Sequence, residues 1–227
     1  MKSFYNALIL FFLFSNSCLF AQVKFSAATD LSVLHNFDPQ QKFTVVGQTI
    51  LYQWHIDKKN TVYAWLTYHA NGKYENTLVA TAKSLTTQPQ SFSFTNQSVM
   101  RLRQISFGFK RYLVGSFDHL EKFNLYAAGG FGVMYGNASN TFSTNIDTAL
   151  YTIQYNVVHG KGDFKRLTFD ITAGAEFPVA YELFIYSEIR MYIPTTDYPS
   201  RYLMNNSHAP FLGSINLGIR IIFNADP

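Results

Sequence analysis

The chain has 227 residues, 17% of them aromatic (22 Phe, 15 Tyr, 2 Trp), yet its mean hydropathy is only -0.02. Charged residues make up 14%, below the roughly 25% of soluble domains, and a formal net charge of +4 without a Lys/Arg cluster gives no support to a nucleic-acid partner. Beyond the N-terminus no run reaches the roughly 20 apolar residues of a membrane-spanning helix, so if this chain crosses a membrane it does so as a closed sheet. No internal repeat divides it, and one folded domain is expected.

Residues 1–21 read as an export signal. Lys2 supplies the positive charge, Ala7 to Phe14 the apolar core, and Ser15, Asn16 and Ser17 break it before a cleavage expected after Ala21. Leu19 at the minus-three position departs from the small-residue preference. Cys18 admits the alternative of an acylated lipoprotein cysteine, although Ser15 stands where such signals carry Leu. With the boundary at Ala21, residues 22–227 form the mature domain and hold no Cys, which excludes disulfides, thiol catalysis and Cys-based metal sites.

Eight strands follow, each read from a period of two. The first, Val23 to Leu34, sets Phe25, Ala27, Leu31 and Val33 against Ser26, Asp30 and Ser32. The second, Phe43 to Ile56, sets Ile50, Tyr52, Trp54 and Ile56 against Thr49, Gln53 and His55, and a tight turn at 57–60 ends it. The third, Thr61 to Ala70, carries aromatics on both faces. The fourth, Val99 to Val114, opposes Ile105, Phe107 and Phe109 to Gln104, Ser106, Gly108 and Lys110. After a short link at 115–121, the fifth presents Phe123, Leu125, Ala127, Phe131, Val133 and Tyr135 on one face. The sixth, Phe164 to Phe177, places Arg166, Thr168, Asp170, Thr172 and Glu176 on its polar face. The seventh, Tyr181 to Ile193, does the same with Glu182, Glu188 and Arg190. The last, Phe211 to Phe223, opposes Ile215, Leu217, Ile219, Ile221 and Phe223 to Ser214, Asn216, Gly218 and Arg220.

The links after the second, fourth and sixth strands are short. Those at 71–98, 136–163 and 194–210 are long and polar. Such asymmetry between two rims is the habit of transmembrane barrels, whereas a soluble lipocalin-like barrel would put the same apolar faces inside. Two features favour the outward arrangement. The mixed faces carry Asp30, Lys110, Asp170, Glu176, Glu188, Arg190 and Arg220 at mid-strand, where a narrow lumen lets acids and bases neutralise one another. Aromatics such as Tyr52, Trp54, Tyr135, Tyr181 and Phe223 gather near strand ends, as interface girdles require. The expected fold is an all-β, eight-stranded antiparallel up-and-down transmembrane barrel with short periplasmic turns and long extracellular loops.

Signal, strand pattern, loop asymmetry and an aromatic-ended last strand together resemble the small Gram-negative outer-membrane barrels of the OmpA, OmpX and OmpW type over the whole mature chain. The resemblance implies residence in the cell outer membrane as a monomer among outer-membrane lipids and lipopolysaccharide. It also implies that Phe223 is the signal read by the barrel-assembly machinery. Eight strands leave a lumen just wide enough for side chains, so Asp30, Lys110, Asp170, Glu176, Glu182, Glu188, Arg190 and Arg220 are expected to form an ion-paired plug. The role expected is structural or adhesive, through loops that meet an extracellular partner; the alternatives are a minor small-solute porin or a lipid-modifying barrel enzyme. For the last, His35, His69, His159 and His208 fall near the outer rim, yet adjacency in sequence does not supply the geometry of a hydroxyl, a base and an acid. No catalytic residue, cofactor or metal ligand is therefore assigned. Asp147, Thr148 and Ala149 resemble an O-glycosylation sequon that would modify Thr148; an unchanged intact mass of the native mature protein would dispose of it.

Overall fold

The computed structural model describes residues 24–120 and 122–223; the expected export signal and its expected cleavage site lie outside them. The chain forms β1 (Lys24–Asn36), β2 (Phe43–His55), β3 (Asn60–Ala82), β4 (Ser91–Val114), β5 (Asn124–Phe142), the short β6 (Tyr151–Ile153), β7 (Gly160–Pro178), β8 (Leu183–Pro194) and β9 (Leu212–Phe223). All except β6 join a ring in which every pairing is antiparallel and, the closing one apart, joins consecutive ring strands. The ring closes where β1 meets β9, in register from Phe25 opposite Phe223 to Asn36 opposite Leu212. At the lower end of this seam the rings of Phe25 and Phe223 stack at 4.6 Å. In the lower part of the ring closure leaves no unpaired edge, which is the one way a sheet meets an apolar solvent all round its outer wall.

In the lower part of the ring, toward the start of β1 and the end of β9, alternation points apolar residues outward and polar residues inward. On β5 the outward face carries Leu125, Phe131 and Tyr135, and on β9 Ile215, Leu217, Ile219 and Ile221, all exposed. From Leu125 to Tyr135 is about 33 Å along a strand, which a barrel tilt of about 40° reduces to an apolar band about 25 Å tall. Among the described residues no helix is long and apolar enough to cross a membrane, so only strands carry this band. Strand β3 resolves the aromatic ambiguity of its sequence: Tyr63 and Trp65 face inward and are 3% exposed, while Val62, Leu66 and Tyr68 face out.

Three expectations need correction. Residues 71–82 and 91–98, read as a loop, are strand, so β3 and β4 form one long hairpin with a turn at 83–90. β5 and β7 likewise extend to Phe142 and back to Gly160. The cause is that the period persists but its faces exchange roles. On β4 the outward residue changes from Ile105 to Arg103 as the inward one changes from Gln104 to Leu102. Farther up, Tyr74, Leu78, Phe94, Met100, Met134 and Ala138 point inward as an apolar core, while Asn71, Lys73, Glu75 and Thr77 face out. A reading that seeks apolar residues outside loses the strand where they move inside.

Secondly, the link at 136–163, read as a loop, contains the short strand β6 at Tyr151–Ile153. β6 pairs with the far end of β3, Ala82 opposite Tyr151 and Ala80 opposite Ile153, and covers the top three residues of the edge of β3 that the shorter β2 leaves open. Thirdly, Glu182 is not in the lumen. It lies in the turn 179–182, where Leu183 accepts hydrogen bonds from the amides of Val179 and Ala180, and its side chain is exposed. The turn before β3 is held by Asp57, whose carboxylate accepts from the amides of Lys59 (2.7 Å) and Asn60 (2.8 Å) and from the Asn60 side chain (2.7 Å). The Asn60 side chain and Lys59 amide hold this acid below the usual carboxylate range.

Candidate functional site

The lumen is filled by two connected charge clusters. In the lower one Glu176 of β7, 1% exposed, faces the ammonium of Lys110 and the Nη2 of Arg220 (2.7 Å), and accepts from the Tyr112 hydroxyl (2.9 Å). Arg220 also donates to Ser26 Oγ (3.1 Å) and to the carbonyl of Phe117 (2.7 Å), and its guanidinium lies 4.2 Å from the Phe184 ring. Phe117 comes from the 115–123 link. It folds into the barrel, stacks on His55 at 4.0 Å and closes the lumen from below.

The upper cluster centres on Arg190, 1% exposed. Its Nη2 pairs with Glu188 and stands 3.8 Å from Asp30, and its guanidinium lies 4.6 Å from the Trp65 ring. Tyr126 and Asn216 donate to Glu188 (2.9 and 3.2 Å), and Tyr186 donates to Asp30 (3.0 Å). Asp170 has no ion pair among the described residues and is held by Gln104 (2.8 Å) and the Ser106 hydroxyl. Each ion thus has several partners, which offsets the several kcal/mol that desolvating a charge costs. The cavity among Gln53, Tyr63, Lys110 and Arg190 measures about 20 Å³, room for about one water molecule.

Asp30, Lys110, Asp170, Glu176, Glu188, Arg190 and Arg220 therefore meet inside the barrel. What sequence reading missed is the ring of aromatics interleaved with them: Tyr112, Tyr126 and Tyr186 share the parity of Lys110, Ala128 and Glu188 and were legible on that ground alone. Glycines make their room. A Cβ on Gly130 would meet the carbonyl of Phe107 at 2.5 Å and the Tyr63 hydroxyl at 2.6 Å, and one on Gly174 would meet the Tyr126 ring at 2.5 Å.

Above the charges the long loops fold inward. Leu203, Met204 and Ala209 of the β8–β9 loop and Val157 of the β5–β7 segment are buried over the upper apolar core. Inward polar side chains tether them: Arg166 donates to the carbonyl of Ala209 (3.0 Å) and to Asn206 (3.2 Å), and Asn140 to the carbonyls of Val158 (3.2 Å) and Tyr202 (3.0 Å). The barrel is thus closed at both ends. Thr148 is exposed in the turn after Asp147.

The histidines near the upper rim are dispersed. His35 bonds to Thr44 (2.8 Å), His69 is buried against Tyr192, His159 packs on Phe142, and His208 stands 3.8 Å from Asp197. Ser26 and His55 are in hydrogen-bond contact, and His55 Nδ1 lies 2.8 Å from Thr61, a hydroxyl and a base in touch. Phe117 covers that ring and both residues are under 5% exposed, so a lipid ester has no approach. Among the described residues no group of three His, Cys, Asp or Glu can hold a metal ion.

No family model and no curated protein sequence matches the chain. Solved structures do. Neisserial surface protein A matches with a TM-score of 0.54 at 10% identity, over 88% of this chain and 97% of that one. The attachment invasion locus protein Ail of Yersinia pestis gives 0.48 at 12%, over 89% and 99%. The outer membrane protein OprG of Pseudomonas aeruginosa gives 0.44 at 10%, over 89% and 97%. The fold is the eight-stranded antiparallel up-and-down barrel that outer-membrane proteins use.

Proposed function

We propose that this chain is an integral outer-membrane barrel with a sealed lumen, which presents its upper half as an interaction surface outside the cell. The observation that carries this reading is the exchange of faces along β3, β4, β5 and β7. An apolar band about 25 Å tall fits a bilayer, and an apolar interior above it fits a body standing in water. β3 has 23 residues, about twice the 9 to 11 that a tilted spanning strand needs, so much of it projects beyond the band. The turns at 56–59, 115–123 and 179–182 then face the periplasm. The likeness of fold to Neisserial surface protein A supports the same placement. The tethered loops and the long β3–β4 hairpin form a fixed surface suited to a partner outside the cell, and Phe223, stacked at the seam, is placed to be read during assembly.

Planar-bilayer recording tests the sealed lumen. The purified full chain is expected to give no stable conductance steps. Regular steps in the wild-type protein would replace this reading with that of a small-solute porin.

A further inference from the structure

The outer wall changes character on one side of the barrel at the level where the faces exchange. Arg101 and Arg103 of β4 and Lys161 and Lys165 of β7 all point outward and are exposed, around a cleft of about 440 Å³ that Tyr135 and Asn137 of β5 also line. The register brings them together: Arg103 lies opposite Tyr135, which lies opposite Lys165, and Arg101 lies opposite Asn137. Just below stand the outward Ile105, Phe107 and Leu167 of the apolar band. Arg103 lies 5.6 Å from the ring of Tyr68, Lys165 lies 5.6 Å from that of Tyr135, and Asn71 accepts from Arg101. The one carboxylate lining the cleft, Asp163, accepts from Asn137 (2.7 Å). Four cations against one acid leave a net charge of +3. A second cleft, of about 540 Å³, adjoins it through Asp163 and Lys165 and brings Arg201. On the opposite wall, at the top of β1 and β2, the outward residues are Val33, His35, Thr44 and Val46, and Lys42 stands just above β2.

We propose that this cleft binds the phosphate groups of a phosphorylated glycolipid of the lipid A class, lying in the outer leaflet against β4, β5 and β7. The inference rests on the outer-membrane reading above. Three properties select the ligand. Tyr68 and Tyr135 mark the polar boundary of a bilayer, where amphipathic rings settle. Four cations at that depth meet the headgroup layer, and Arg presents paired donors that fit phosphate oxygens. The apolar wall directly below accepts acyl chains, so one molecule can satisfy both surfaces.

The test uses the full chain folded in neutral detergent, titrated with bisphosphoryl lipid A, with the same lipid dephosphorylated, and with phosphatidylglycerol. The variant Arg101→Gln/Arg103→Gln/Lys161→Gln/Lys165→Gln is compared with a lower-rim control, Lys58→Gln/Lys59→Gln/Arg111→Gln/Lys122→Gln. The outer variant is expected to bind bisphosphoryl lipid A at least about tenfold more weakly, as wild type does the dephosphorylated lipid, while the control retains its affinity. Undiminished binding by the outer variant, an equal loss in the control, or equally tight phosphatidylglycerol binding by wild type overturns the proposal. Cold and boiled SDS gels check that each variant is folded; should the quadruple variant fail, the Arg101/Arg103 and Lys161/Lys165 pairs are tested separately, each expected to lose about threefold or more. Wild-type protein without a heat shift and outside the outer-membrane fraction would refute the underlying reading instead, whatever the lipid titration gives.

Discussion

Glu176→Gln is expected to destabilise the folded barrel by about 3–5 kcal/mol, the range for breaking a buried ion pair by removing one partner. The substitution keeps the shape of the side chain and removes only its charge. Lys110 and Arg220 then face each other in a site where Glu176 is 1% exposed and Arg220 fully buried, with no other carboxylate among the described residues in contact with either. Denaturant titration in lipid vesicles, followed by the fluorescence of Trp54 and Trp65, reads the change. Lys110→Met/Glu176→Gln removes one of the stranded cations and should recover at least about 1 kcal/mol, within the range of couplings between neighbours in one network. A Glu176→Gln variant as stable as wild type would mean that the lower cluster is not an interdependent unit.

Phe131→Arg tests which side of the wall meets lipid. Phe131 is 67% exposed, near the middle of the apolar band on β5, and its ring lies 5.0 Å from that of Phe169. A base at the midplane of a bilayer costs about 2–4 kcal/mol, against about 0–1 near the interfaces. Phe131→Arg should therefore lose about that much in vesicles relative to Phe131→Ala, which subtracts the lost ring contact, whereas Tyr135→Arg at the upper boundary should lose about 1 kcal/mol or less. Equal effects at both positions would show that the band is not in lipid; a surface site in water tolerates such changes within about 0.5 kcal/mol.

Some of this molecule is written locally. In β9 the alternation of Ile215, Leu217, Ile219 and Ile221 with Ser214, Asn216 and Arg220 fixes the strand and its two faces, because side chains on a strand alternate whatever surrounds it. The same holds for β7 and β8, so the inward placement of Asp170, Glu176, Glu188 and Arg190 could be read before any pairing was known. Even Tyr112, Tyr126 and Tyr186 follow from the parity of their neighbours.

Parity does not say which solvent each face meets, and there the tertiary structure decides. The polar stretch at 71–98 reads as a loop only while apolar residues are sought outside; in water the burden reverses, and Tyr74, Leu78 and Phe94 gather inside. Glu182 has the parity of Glu188 but lies in the turn just before β8, so the turn and not the period places its side chain. The inward fold of Phe117 and the pairing of β6 with β3 join residues far apart in the chain, and local pattern holds no record of such contacts. Likewise Arg101 and Lys161 lie sixty residues apart and scattered in sequence; only the register of β4, β5 and β7 makes them one basic face. The sequence by itself determined the lower part of the eight ring strands, their two faces there and the charges between them; the tertiary structure decided how far the strands extend, which of those charges touch, what seals the lumen and where the outer wall turns from apolar to basic.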